Sequence, residues 1–290
     1  MAKKWLLQTQ PNDKWPKLWV KIKEEGADTE ALRAKAKAFV EKEFDHQAWF
    51  RLWASLRLQN GDNKAIDELG HRWLKLMLRK RPNTHTWHQV WSTLREAGVE
   101  RANLADMAVQ WLQRVSPDDT TWHNVWSSIY EAQPDNQIII QAGKSWLNSV
   151  KPRHQGWYQV WRPLFMKSNH DHDLLNMALT WFENTPITHP SWSECWLTAY
   201  TTGGNERRAS IESLALEWLK QSAATHKSNG WPTIWRMLWD GDKMRARLLP
   251  MGIEWLKANP HSTFWIEIFD PLWKSSEAKE TLQKINDMRR

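Results

Sequence analysis

A single cysteine, Cys195, in 290 residues excludes an internal disulfide and any zinc cluster built on paired cysteines. No apolar run approaches the roughly 18 residues that a membrane-crossing helix needs, and the mean hydropathy is −0.71. The opening residues Met1-Ala2-Lys3-Lys4-Trp5 lack the apolar core of a signal peptide, so the expected location is cytoplasmic. Familiar catalytic signatures are missing too. Gly203-Gly204 has no lysine after it and no strand beside it, and neither a Gly-x-Ser-x-Gly elbow nor a His-Glu-x-x-His helix occurs. Cys195 falls on a patterned apolar position, where a free thiol packs as a small hydrophobe rather than reacting. The expectation is a protein that is not an enzyme, with no cofactor and no metal ion.

Charge decides less. The net charge is +7, with the excess concentrated around Lys14, Lys17, Lys21, Lys23, Arg33, Lys35 and Lys37. Glu24, Glu25, Asp28, Glu30 and Glu41 interrupt that field, whereas a nucleic-acid binder usually carries a cleaner basic stripe.

What the chain has in excess is tryptophan, 24 in all. They recur about every 35 residues in a fixed phrase. Taking Trp15, Trp49, Trp87, Trp122, Trp157, Trp192, Trp231 and Trp265 as position 0, position 3 is aliphatic or Cys195. Position 4 is tryptophan or Phe269, and position 7 is Leu, Ile or Ala199. Spacing of 0, 3, 4 and 7 is one face of an α-helix, and no period-two strand pattern is visible.

A second helix follows in each unit, marked by Phe39, Trp73, Trp111, Trp146, Trp181, Trp218 or Trp255. Three residues earlier the side chain is always Ala or Gly (Ala36, Gly70, Ala108, Gly143, Ala178, Ala215, Gly252), a notch that admits an indole from the neighbouring helix. Prolines such as Pro82, Pro117, Pro152 and Pro186 end second helices. Asn83-Thr84 and Asp118-Asp119 are expected to cap the next first helix. Pro250, inside a second helix, predicts a kink or a late start. Asn60-Gly61-Asp62 and Gly203-Gly204-Asn205 mark small insertions.

The tryptophans could form a stacking platform for bases or the core itself, and their register favours the core. A buried indole hides roughly 200 Å² and contributes at most about 5 kcal/mol before entropy.

Paired helices at this period, with first-helix segments such as Trp87-His88-Gln89-Val90-Trp91-Ser92-Thr93-Leu94, resemble tetratricopeptide α-solenoids over residues 12–273. That family prefers a small residue where this chain has its second tryptophan. The phrase Trp-Leu, proline, polar turn, Trp is also similar to the C-terminal sensor repeats of bacterial signal-transduction NTPases with numerous domains, many of which act against phage.

The expected fold is therefore all-α, a right-handed α-solenoid of about eight helix-turn-helix repeats forming a single repeat domain over 1–290. Residues 1–11 read as a partial second helix, 12–273 as the hairpins and 274–290 as a capping helix. In that cap Leu282, Ile285 and Met288 share one side. Trp5-Leu6 before Pro11 suggests a truncated second helix, so the expectation is that the chain is the terminal segment of a longer protein or has lost its front end. Otherwise a monomer is expected.

Polar residues in register on the first helices are the candidate ligand contacts, because those helices line the concave surface in tetratricopeptide-like stacks. They are His85, His88, Gln89, His123, Asn124, Tyr158, Gln159 and Glu194. Gln89, Asn124, Gln159 and Glu194 belong to a position-2 ladder of Lys17, Arg51, Gln89, Asn124, Gln159, Glu194, Thr233 and Glu267, which runs from basic through amide to acidic, while His88, His123 and Tyr158 stand at position 1. A second ladder at position 8 runs Lys23, Arg57, Arg95, Tyr130, Phe165, Tyr200, Trp239, Trp273, its aromatic half reading as core. His85, His88 and His123 are weighed as metal ligands and set aside in favour of surface histidines, as His170-Asp171-His172 is in favour of a helix start. The leading expectation is a scaffold that binds a protein or peptide. The alternative is single-stranded RNA read one base per repeat, as in pentatricopeptide-like solenoids.

Overall fold

Apolar residues at 0, 3, 4 and 7 do form helices, in pairs. The computed structural model describes residues 2–9, 14–57, 64–80, 85–99, 101–168, 171–205, 207–222, 230–275 and 278–289. Helix α1 (Ala2–Gln8) precedes α2 (Trp15–Glu24) and α3 (Glu30–Lys42), α4 (Trp49–Arg57) and α5 (Lys64–Lys80), α6 (His85–Glu96) and α7 (Arg101–Arg114). Then come α8 (Trp122–Ala132) and α9 (Gln137–Ser149), α10 (Trp157–Lys167) and α11 (His172–Asn184), α12 (Trp192–Thr202) and α13 (Arg208–Ser222). The last are α14 (Gly230–Asp240) and α15 (Arg245–Ala258), α16 (Trp265–Ser275) and α17 (Lys279–Arg289). No strand occurs among the described residues, and no helix there is long and apolar enough to cross a membrane.

The contacts group into two compact units, residues 1–142 and 143–290, divided within α9. Inside each, a helix packs on its successor and on the helix after that: α1 on α2 and α3 in the first unit, α14 on α15 and α16 in the second. This nearest-neighbour pattern is that of a helical repeat array.

Five first helices are entered through one recurring turn. The side chain at position −3 (His46, Asp119, His154, His189 or Ser262) accepts the backbone N–H two residues on at 2.8–3.2 Å. Its own carbonyl accepts the N–H of the first tryptophan at 2.9–3.1 Å. Asp119 thus organises the turn rather than capping α8, whose N-cap Thr121 makes no side-chain bond into the helix. The Asn83-Thr84 pair and the Asn60-Gly61-Asp62 insertion lie outside the described residues. The three histidine rings also stand edge-on to Phe39, Trp146 and Trp181, with centroids 5.0–5.2 Å apart.

Each class of tryptophan finds a different backbone acceptor. The position-0 indole reaches back to the preceding second helix: Trp15 donates to the Leu6 carbonyl, Trp49 to Val40, Trp87 to Leu74, Trp122 to Leu112 and Trp231 to Leu219, at 2.8–3.2 Å. The position-4 indole donates within its own hairpin, at 2.7–2.9 Å: Trp53 to Ile66, Trp91 to Leu104, Trp126 to Ile139, Trp161 to Leu174, Trp196 to Ile211 and Trp235 to Leu248. Trp73, Trp181 and Trp218, on second helices, donate to Phe44, Pro152 and Ile187 in the turns between repeats at 2.8–3.0 Å.

The position-4 bonds explain the notch. A helical carbonyl already accepts from the N–H four residues on, so an indole must use its second lone pair. That lone pair is reachable only if the residue four on is small, and it always is: Gly70 after Ile66, Ala108 after Leu104, Gly252 after Leu248. The small residue therefore does more than make room for the ring; it uncovers an acceptor. Because position 0 stacks on the second-helix aromatic while position 4 meets a residue seven earlier, the paired helices run antiparallel.

Ring stacking joins these residues into columns. Second-helix and position-0 indoles lie 5.1 Å apart in Trp49–Trp73 and Trp87–Trp111, and 4.9 Å apart in Trp157–Trp181. Tyr130, Phe165, Tyr200 and Trp239 continue the columns at 4.6–4.9 Å from the position-4 ring and are buried. Earlier repeats end their columns in a cation instead: Lys23 lies 5.9 Å over Trp19 and Arg95 5.7 Å over Trp91. Twenty-two of the 24 tryptophans are buried; Trp5 and Trp273 are 36% exposed.

Asp171 is the N-cap of α11, its carboxylate accepting from Asp173 N and Leu174 N at 2.9 and 3.3 Å, as a helix start there requires. Helix α15 starts ten residues before Trp255, the same offset as α13 from Trp218, so Pro250 causes no late start. In α17 Leu282 and Ile285 are buried, but Met288 is 74% exposed, so the shared apolar side is covered only at its first two positions.

Candidate functional site

Positions 1 and 2 fall beside the buried stripe, so their side chains reach the surface of the first helices except at the buried Pro16 and Pro232. His85 is exposed at the start of α6, and His88 is half-buried with its ring 6.5 Å from that of Trp91. Burial pushes the His88 pKa below its ordinary 6.5, and the nearby His85 pushes the same way, against Asp119 and Glu96. His123 is half-buried on α8. Among the described residues, no three His, Cys, Asp or Glu side chains converge closely enough to hold a metal ion. Asn124 is exposed on α8.

In the second unit Gln159 and Glu194 are exposed on α10 and α12. Tyr158 is half-buried, and its hydroxyl is 3.0 Å from Thr198 Oγ1, which ties α10 to α12. Burial raises the Tyr158 pKa. That hydroxyl is therefore engaged in holding neighbouring helices together. Cys195 is fully buried, and burial drives its thiol pKa well up, the setting of an inert cysteine.

The first unit gathers ladder residues into one recess of about 390 Å³ across α2, α4 and α6. Lys17, Arg51 and Gln89 line it, each at position 2 of successive repeats, together with Phe50, Gln47 and Thr86. Lys17, Arg51 and Gln47 are exposed, while Phe50, Thr86 and Gln89 are half-buried. Among the described residues, no carboxylate lines the recess. Of the residues expected to bind, only Gln89 lies there; His85, His88, His123 and Asn124 of the same unit do not line it.

Phe50, Gln47 and Thr86 escape sequence reasoning because they occupy three different positions of the repeat (1, −2 and −1) and come together only through packing. Lys17 and Arg51 were legible as members of the position-2 ladder.

A second cavity of about 610 Å³ lies between α6, α7 and α8, bordered by Trp91, Arg95, Ile129 and Gln133. Arg95 is already committed there, stacked on Trp91 and donating to the Ser128 carbonyl at 2.9 Å.

Comparison with known proteins adds no relative. No protein-family model matches the chain, and no curated protein is significantly similar to it.

Proposed function

We propose that this protein is a non-catalytic scaffold that binds a protein or peptide across the first-helix surfaces of its repeats. The observation that supports this reading is the recess on α2, α4 and α6, where three successive repeats each contribute their position-2 side chain to one concavity. Repeat arrays generate such surfaces because each unit presents the same helical position at regular intervals. Gln159 and Glu194 hold the equivalent position in the second unit. A cytoplasmic location, and service as the ligand-sensing segment of a bacterial defence protein, extend the same reading.

The test is retention from lysate. A tagged parent chain, treated with nuclease, should hold a discrete protein that is lost from a Lys17→Ala/Arg51→Ala/Gln89→Ala variant with unchanged helical circular dichroism. Equal retention by the variant would remove the recess from the binding surface. Retention only of RNA, abolished by nuclease and by high salt, would replace the reading with nucleic-acid recognition.

A further inference from the structure

We infer that the recess on α2, α4 and α6 takes an extended acidic peptide with two carboxylates two or three residues apart. This inference rests on the scaffold reading and specifies its ligand. Four other cations of the early repeats are engaged by the fold itself. Lys23 donates to the Ser55 carbonyl, and Arg57 pairs with Asp67 at 2.6 Å. Arg33 pairs with Asp28 at 2.7 Å, and Lys35 donates to the carbonyls of Leu6, Leu7 and Thr9 at 2.6–3.1 Å. Each of these supports the fold. Lys17 and Arg51 differ: both are exposed, both line the recess, and among the described residues no carboxylate lines it with them.

The rest of the lining suits a peptide backbone. Gln47, Gln89 and Thr86 offer both donors and acceptors, and the half-buried Phe50 offers a ring face. Adjacent packed helices lie about 8–10 Å apart, so a recess three helices wide spans roughly 16–20 Å, the length of about five or six extended residues. Lys17 and Arg51 stand on neighbouring helices, and the same spacing matches carboxylates at i and i+2 or i+3.

A nucleic acid fits less well. Its charge repeats at every nucleotide and calls for a longer basic track and several stacking rings. Here the position-2 ladder turns to amides after Arg51, at Gln89 and Asn124.

The experiment is fluorescence anisotropy on the full chain with labelled six-residue peptides. One carries Glu at i and i+2 around an aromatic residue, one has Gln at both places and one has Lys. An oligouridylate is the fourth probe. The Glu peptide is expected to bind about tenfold tighter than its Gln counterpart, with the advantage falling as salt rises. In Lys17→Gln/Arg51→Gln that ratio should drop to about one, since exposed charges can be removed without touching the core. Equal binding of Glu and Gln peptides, both weakened by Phe50→Ala or Gln89→Ala, would overturn the acidic specificity and leave the scaffold reading standing. No peptide binding, or binding indifferent to every recess variant, would overturn both. Oligouridylate binding tighter than the Glu peptide, and dependent on Lys17 and Arg51, would assign the recess to nucleic acid.

Discussion

Gly70→Ala separates two effects that act in opposite directions. Alanine is the better helix former by about 1 kcal/mol, so propensity alone makes the variant more stable. The notch argument predicts the reverse. A Cβ added at Gly70 would sit 2.7 Å from Cζ2 of Trp53, 3.1 Å from its Cε2 and 3.2 Å from Cδ1 of Leu94. The ring must retreat by several tenths of an ångström, and the bond from Trp53 to the Ile66 carbonyl, now 2.8 Å, lengthens with it. Losing that bond costs about 1 kcal/mol and overpacking about 1–3 kcal/mol. Because Ala108, Ala178 and Ala215 occupy the same position beside intact bonds of 2.7–2.9 Å, part of the clash can relax. The expected net effect is a destabilisation of about 1–2 kcal/mol, read by urea unfolding followed by far-ultraviolet circular dichroism. Hydrogen exchange would localise the loss to α4 and α5. A Gly70→Ala chain that gains about 1 kcal/mol would refute the idea that the residue is small in order to admit the indole.

Other outcomes follow from the histidines and the cysteine. Burial lowers the folded-state pKa of His88 and of His189 from the ordinary 6.5. The unfolded chain therefore takes up protons first as pH falls, and stability should be level above about pH 6.5 and decline below it. Thermal midpoints at pH 7.5 and 5 should show the decline. His189→Asn, which keeps an acceptor for the Ser191 N–H but does not titrate, should shrink it; an undiminished decline would acquit His189. Cys195, fully buried with a raised thiol pKa, should resist alkylation under native conditions and react once denaturant is added. Rapid native labelling would contradict its packing.

Helix positions were legible because they depend on which side chains avoid water. The starts of α2, α4, α8, α10, α12 and α16 coincide with the predicted tryptophans, while α6 and α14 begin slightly earlier at His85 and Gly230. The acceptors of the position-0 and second-helix indoles were not legible, since every residue carries a carbonyl; those of the position-4 indoles were marked by the Gly or Ala four places on, which from sequence alone reads only as room for a ring. The shared role of His46, His154 and His189 was within reach: they stand at position −3, where Asp119 and Ser262 also stand. Tyr158 shows the limit on the site. Its place on the ladder pointed to a ligand contact, but its bond to Thr198 depends on the distance between two helices, which periodicity does not encode. The recess has the same origin, so its lining could not be assembled from spacing alone.

Apart from Trp19, which donates to the Asp28 carboxylate, the indole bonds described above end on backbone carbonyls, and this separates two specifications that most folds entangle. A carbonyl is the same acceptor whatever side chain its residue carries. The framework therefore asks for tryptophan at set positions, for small residues above the exposed acceptors, and for little else. Positions 1 and 2 of the first helices are largely outside those demands, with Tyr158 and the buried Pro16 and Pro232 as exceptions. Such a chain is a chassis with interchangeable contact points: its recognition surface can be rewritten residue by residue while the internal joinery stays as it is.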